Sequence, residues 1–275
     1  MKTWLITGCS SGIGQGIAKA VLSKGDNAII TARNKDKLKD LVALYPDNTL
    51  AVSLEVTSKE SIEALMVQAK ERFGMIDVLV NNAGRGYSGA IEEGDSDAVN
   101  ELFNTNLFGP INLIKAVLPD MRANKAGAII NISSLGVITN DGGGGYYAAS
   151  KAALEKISGA LRKEVASLGI KVMVVEPGPF RTNFRVAHVK GQENHISDYA
   201  TIQAARDKLA QDPFGQKGDP DKAGKVIVDV IERDDYPKTI LLGKGITDLG
   251  IDILKEHIKD ITRWKELGDS TNFDE

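Results

Sequence analysis

A tyrosine and a lysine four residues apart, Tyr147 and Lys151 in the segment YYAASK, share one face if that segment is helical. An ordinary phenol titrates near about pH 10 and exchanges protons poorly at neutrality. A nearby ammonium favours the phenolate and lowers that value, so such a pair can carry a proton to or from a substrate oxygen. Tyr146 is followed at the same spacing by Ser150, which leaves Tyr147 as the candidate. The chain holds six tyrosines, so the pair alone is a weak signal.

Two further features accompany it. INISS places Ser133 and Ser134 at the end of an apolar run. Side chains alternate along a strand, so one of the two faces a pocket, where a hydroxyl can hold an oxygen beside the phenol. The competing role for either serine is capping a turn. Asn106 stands among Leu102, Phe103, Leu107 and Phe108. Asparagine is a poor helix-interior residue, so here it is either a satisfied core polar group or part of a proton relay.

An anion cradle precedes all of these. The first apolar run ends in TGCSSGIG, with Gly8, Gly12 and Gly14 in a G-x3-G-x-G spacing. Glycines there allow a tight turn, close approach of a phosphate and close helix–strand packing. The free N–H groups of the following helix point at the anion. After an N-terminal strand and before an amphipathic helix, the glycine triplet reads as dinucleotide binding rather than a structural turn. The second strand ends Thr31-Ala32-Arg33-Asn34, with no carboxylate to hold a ribose 2′-hydroxyl. Arg33 can grip a 2′-phosphate with its planar fork, which favours NADP(H) over NAD(H); a solvated surface arginine is the alternative.

The elements that must position these groups alternate. Strands are expected at 3–8, 27–33, 50–56, 77–84, 128–134 and 171–178, with a last edge strand at 239–243. Helices are expected at Ile13–Lys24, Lys35–Leu44, Ser58–Phe73, about Asp95–Met121, Tyr147–Ser167 and Lys222–Arg233. The strands are continuous apolar runs, as in parallel sheets covered on both faces. The order predicts a doubly wound, mostly parallel α/β sheet of Rossmann type, as one domain over 1–275. Residues 184–220 are polar and broken by Gly191, Pro213, Gly215, Gly218 and Pro220. They follow a strand end, where such folds bind ligands, and read as a small helical substrate lid; a surface insertion is the alternative. Phe180, Phe184, Val186, Ala187, Val189 and Tyr199 suggest an apolar pocket. The tail, 246–275, is helical with Leu254, Ile258 and Ile261 on one face, packed on its own domain or on a partner subunit.

Composition narrows the rest. A chain of 275 residues with net charge −3 carries no nucleic-acid footprint. No apolar run approaches the roughly 20 residues of a membrane span. The N-terminal run is too short for a signal peptide. Cys9 is the sole cysteine, so no intrachain disulfide framework exists and a reducing, cytoplasmic setting is expected. His188, His195 and His257 share no metal-ligand spacing, and no metal is expected.

Taken together, TGCSSGIG, NNAG (81–84), Asn106, INISS, YAASK and PGPFRT (177–182), in this order, resemble the classical short-chain dehydrogenase/reductase family over about residues 3–182. The extended relatives, epimerases and dehydratases, space the first glycines differently. The resemblance implies a catalytic tetrad of Asn106, Ser134, Tyr147 and Lys151, with Ser134 preferred over Ser133 by its place before the tyrosine. It implies cofactor contacts at Gly8, Ser10, Ser11, Gly12, Ile13, Gly14 and Arg33, at Asn82, Ala83 and Gly84, and at Tyr147 and Lys151. Pro177, Gly178 and Thr182 complete the set, Thr182 at the nicotinamide carboxamide. Where the family has Asp-Val for adenine, this chain has Glu55-Val56, a longer carboxylate. The activity implied is hydride exchange between a nicotinamide and a small-molecule carbonyl or secondary alcohol, in a homodimer or homotetramer. An NADP(H)-sensing binding protein on the same fold is the rival reading.

Overall fold

The structure is a computed structural model that describes residues 1–184, 189–190, 196–212 and 214–273. Val186, Ala187, His188, Gly191, His195, Pro213 and the side chain of Val189 lie outside the described residues.

The strands are β1 (Thr3–Ile6), β2 (Asn27–Ala32), β3 (Thr49–Ser53), β4 (Val78–Asn81), β5 (Tyr87–Ser88), β6 (Gly127–Ile132), β7 (Ile170–Pro177), β8 (Val189–Lys190) and β9 (Thr239–Leu242). The helices are α1 (Gly12–Ser23), α2 (Lys39–Leu44), α3 (Lys59–Phe73), α4 (Ser96–Phe103), α5 (Gly109–Asn124), α6 (Gly136–Thr139), α7 (Gly145–Glu164), α8 (Ala200–Gln211), α9 (Pro220–Ile231), α10 (Ile246–Arg263) and α11 (Lys265–Asp269). Seven strands form one sheet in the order β3-β2-β1-β4-β6-β7-β9, every pair parallel. This is the Rossmann-type single domain expected. β5 and β8 pair separately.

Strand alternation feeds two cores. Trp4, Ile6, Ile30, Ile130 and Val175 pack toward Ile17 and Val21 of α1 and Ile227 and Ile231 of α9. Leu5, Ile29, Leu79, Ile129 and Val172 pack toward α3, α5 and α7 through Leu65, Leu113, Val117 and Leu161. The helices α1 and α9 approach backbone to backbone, because a Cβ on Gly224 would overlap the backbone of Gly16 and Ile17. We expect Gly224→Val to cost about 3 kcal/mol or more of unfolding free energy, at the upper end of overpacking losses. Denaturant melts reading a loss below about 1 kcal/mol would show that the two helices separate freely.

Three elements differ from expectation. The segment Lys35–Leu44 is a 3-10 turn (Lys35–Leu38) followed by the short α2, because Asn34 Oδ1 accepts from Asp36 N (2.9 Å) and tightens the start. The helix expected over 95–121 is α4 and α5 joined by a π-helical turn, Asn104–Phe108, centred on Asn106. The tail is helical, but Leu254, Ile258 and Ile261 are 47, 60 and 59% exposed. Among the described residues its start packs on the domain, where Gly250 lies against Leu241 and Ile138.

Candidate active site

The chain reverses its winding between β1 and β4, and the carboxyl ends of β1, β4, β6 and β7 lie side by side there. Such a switch point opens a crevice beyond the strand ends. All the sequence motifs except Arg33 and Glu55-Val56 converge on it.

The glycine loop leaves β1 with Gly8 at φ +73° and Gly12 at φ +64°, backbone that side chains rarely adopt. A Cβ on Gly12 would meet Thr182 Cγ2 at 2.8 Å, so the loop and the PGPFRT segment close on one another. A Cβ on Gly14 would overlap the Asn82 side chain and the Gly8 carbonyl. Asn82 braces the loop by donating to the carbonyls of Thr7 (2.8 Å) and Gly8 (3.1 Å). The Thr7 hydroxyl accepts from the amides of Asn82 and Ala83, both at 2.9 Å. Ser11 stands at the N-cap of α1 without a side-chain capping bond, and Ser10 and Ile13 are half-buried beside it. The loop, its helix N-terminus and Thr182 therefore form a cradle that fits a dinucleotide pyrophosphate.

Beyond this centre, Arg33 is exposed at the end of β2, its carbonyl accepting from Ser53 Oγ (2.8 Å). The carboxylate of Glu55 turns onto its own loop, with Oε1 accepting from Thr57 N (3.2 Å) and Oγ1 (3.0 Å). Val56 is buried and packs against Gly109. Pro177 accepts from Leu135 N (3.1 Å), and Gly178 N donates to Leu242 O (2.9 Å), which fixes the end of β7.

Across the crevice, β6 sends its two serines opposite ways. Ser134 hydrogen-bonds the phenol of Tyr147, and its Oγ also accepts from Gly136 N (3.1 Å). Ser133 turns back and donates to Glu155 of α7. Tyr147 and Lys151 share one face of α7, and the Tyr147 ring meets Phe184 with centroids 5.7 Å apart. Tyr146 is structural: its hydroxyl donates to Ile91 O (2.9 Å), and its ring stands edge-on to Tyr87.

Lys151 is 4% exposed, and its Nζ donates to Ile132 O (2.8 Å). A Cβ on Gly84 would lie 3.2 Å from Asn106 Oδ1 and 3.3 Å from Lys151 Nζ, so both side chains close on the NNAG turn. Asn106 is fully buried and satisfied. Its Nδ2 donates to Arg85 O (2.9 Å) and Ser150 Oγ (3.0 Å), while Oδ1 accepts from Arg85 N (2.9 Å). Ser150, which sequence reasoning noted only as a spacing partner of Tyr146, links Asn106 to the Tyr147 carbonyl (2.8 Å).

One electrostatic expectation is reversed. Burial pushes the Tyr147 phenol up to about 12, the Ser134 hydrogen bond offsetting part of the rise. Burial also draws the Lys151 ammonium down to about 8, opposed by the charge of Glu155. Desolvation is the largest influence on both groups, and the lowering influence on the phenol is the Ser134 hydrogen bond.

The sequence pattern of short chain dehydrogenases matches residues 2–193. A 3-ketodihydrosphingosine reductase of Bacteroides thetaiotaomicron is 36% identical, covering 85% of this chain and 84% of its own. A short-chain dehydrogenase from Streptomyces avermitilis superposes with TM-score 0.91 at 41% identity, over 99% of this chain and 100% of the other. A gluconate 5-dehydrogenase from Burkholderia cenocepacia, solved with NADP and tartrate, superposes with TM-score 0.74 at 26% identity, over 90% and 95% of the two chains.

Proposed function

The chain belongs to the short chain dehydrogenase family, and from that premise we propose that it is an NADP(H)-dependent oxidoreductase interconverting a carbonyl and a secondary alcohol on an apolar small molecule. The observation that carries this reading is the Tyr147 phenol, bonded to Ser134 and one helical turn from the buried amine of Lys151.

Bound dinucleotide supplies or accepts a hydride at its nicotinamide. The loop Gly8–Gly14 and the N-terminus of α1 would hold its pyrophosphate. Arg33 would take the 2′-phosphate. Asn82, Ala83 and Gly84 would line its path, Glu55 and Val56 the adenine end, and Pro177, Gly178 and Thr182 the nicotinamide end. Ser134 fixes the substrate oxygen. Tyr147 gives that oxygen a proton in reduction and takes one in oxidation. Burial keeps the phenol protonated at neutral pH, the form from which it gives a proton in reduction. Lys151 and Asn106 return the proton.

The segment 184–220 acts as the substrate lid. Phe184 stands against the Tyr147 ring. The Tyr199 hydroxyl donates to Glu92 (2.7 Å), Ile196 N donates to Glu93 (2.8 Å), and Ile202 lies over Gly143. These contacts tie the described part of the segment to the loops at Glu92, Glu93 and Gly143, which supports the lid reading. The keto compound in the name of the Bacteroides relative is consistent with a carbonyl substrate. No helix among the described residues is long and apolar enough to cross a membrane. The single thiol, Cys9, is buried and free, which suits a reducing compartment such as the cytoplasm. Exposed Phe108 and Ile157 and the apolar stripe of α10 are consistent with a homodimer or homotetramer.

A panel of apolar and polar ketones, followed by NADPH absorbance, tests the reading. We expect turnover of apolar ketones that is level below about pH 7.5 and falls above about pH 8, where Lys151 loses its ammonium. Tight NADPH binding with no turnover across the panel would instead fit a nucleotide-sensing protein.

A further inference from the structure

A second set of polar side chains adjoins Lys151: its amine donates to the carbonyl of Ile132, and the next residue, Ser133, holds a carboxylate of the same helix. Glu155 follows Lys151 by one turn of α7 and accepts from the Ser133 hydroxyl. Ser133 is tied to the next strand by donating its amide to Val175 O (2.7 Å). One residue further along that strand, Glu176 is 4% exposed, and its Oε2 has no hydrogen-bond partner among the described residues. Glu155 reaches from this cluster to a surface cleft that it lines with Lys156, Arg162, Lys163 and Thr239. A buried ammonium is costly unless a counter-charge accompanies it.

We propose that Glu155 is a positioning residue that keeps Lys151 in its ammonium form, with Ser133 orienting the carboxylate. The carbonyl of Ile132 gives the amine a polar partner but no charge. Among the groups that face the pair, Tyr147 and Glu155 come from α7 itself, Asn106 from the π-helical turn, Ser133 from β6 and Glu176 from β7. Lys156, beside Glu155, is the further cation. Glu155 is therefore the charge that opposes the desolvation of Lys151. Glu176 adjoins the same cluster: burial, then the charge of Glu155, raises it to about 7, and burial raises Glu155 itself, opposed by Ser133, Lys156 and Lys151.

The inference extends the assignment of Lys151 to the proposed oxidoreductase, and it is testable without substrate or cofactor. The full chain, carrying [13C,15N]-lysine, is titrated by NMR, with the Lys151 signal assigned by its loss in Lys151→Arg. The midpoint of Lys151 is expected near about 8 in the wild type. Glu155→Gln should move it down by about one unit or more, and Glu155→Asp should restore most of the shift. Ser133→Ala, which frees the carboxylate, should move it the same way by less; this variant carries the test if Glu155→Gln does not fold. Equal midpoints in the wild type and in whichever variants fold would overturn the role of Glu155. That result is distinct from failure of the oxidoreductase reading, which the ketone panel and Tyr147→Phe decide.

Discussion

Tyr147→Phe should lower turnover about 10^3-fold while leaving the Kd for NADPH within about threefold, because it removes a proton donor and only one neutral hydrogen bond. The variant keeps the ring, so its contact with Phe184 and the start of α7 survive. What it removes is the hydroxyl bonded to Ser134, the one group in the crevice that combines a proton, a neighbouring hydroxyl and a buried amine one turn away. A phenol pushed up to about 12 carries its proton at neutral pH, the form that reduction uses, so the loss is read in the reductive direction below pH 8. Stopped-flow turnover and NADPH fluorescence titration on the same sample separate the two effects. Retention of more than a tenth of wild-type turnover would take the phenol out of the chemistry and leave the crevice as a binding site only.

The pairing of Tyr147 with Lys151 was legible because helical geometry is local: four residues make one turn, and nothing distant alters that. The division of labour between Ser133 and Ser134 was legible for the same reason in a strand, although alternation alone left open which of the two faces the phenol. The π-helical turn at Asn106 was not legible. It depends on Arg85, twenty-one positions away, whose backbone both donates to and accepts from the asparagine side chain. The raised phenol was missed because a sequence shows which charges are near but not how much water each group loses. Glu155 gave a signal, an acidic residue one turn past the lysine, but only the hydrogen bond from Ser133 and the burial of Lys151 give it meaning. In the tail, periodicity revealed an apolar stripe. It could not tell what covers the stripe, and the domain itself covers only the part around Ile246 and Gly250.

Nucleotide choice should turn on Arg33, and Arg33→Glu is expected to raise KM for NADPH by about 30-fold or more, the equivalent of one lost charge-assisted contact of about 2 kcal/mol. Repulsion between the new carboxylate and a 2′-phosphate adds to that loss. The same carboxylate would accept from a ribose 2′-hydroxyl, so KM for NADH should fall, and the ratio of kcat/KM for the two nucleotides should move by about 10^2 or more. Nearby side chains do not replace Arg33. Asn34 is committed to the 3-10 turn through Asp36 N. Glu55 is turned onto Thr57. Ser53 is bonded to the Arg33 carbonyl. The arginine itself is exposed and enters no ion pair among the described residues, so its guanidinium is available to an incoming phosphate. Initial rates with both nucleotides, for wild type and variant, decide the matter. A wild-type KM for NADH equal to or below that for NADPH, or a ratio that Arg33→Glu does not move, would rule out Arg33 as the residue that selects the 2′-phosphate.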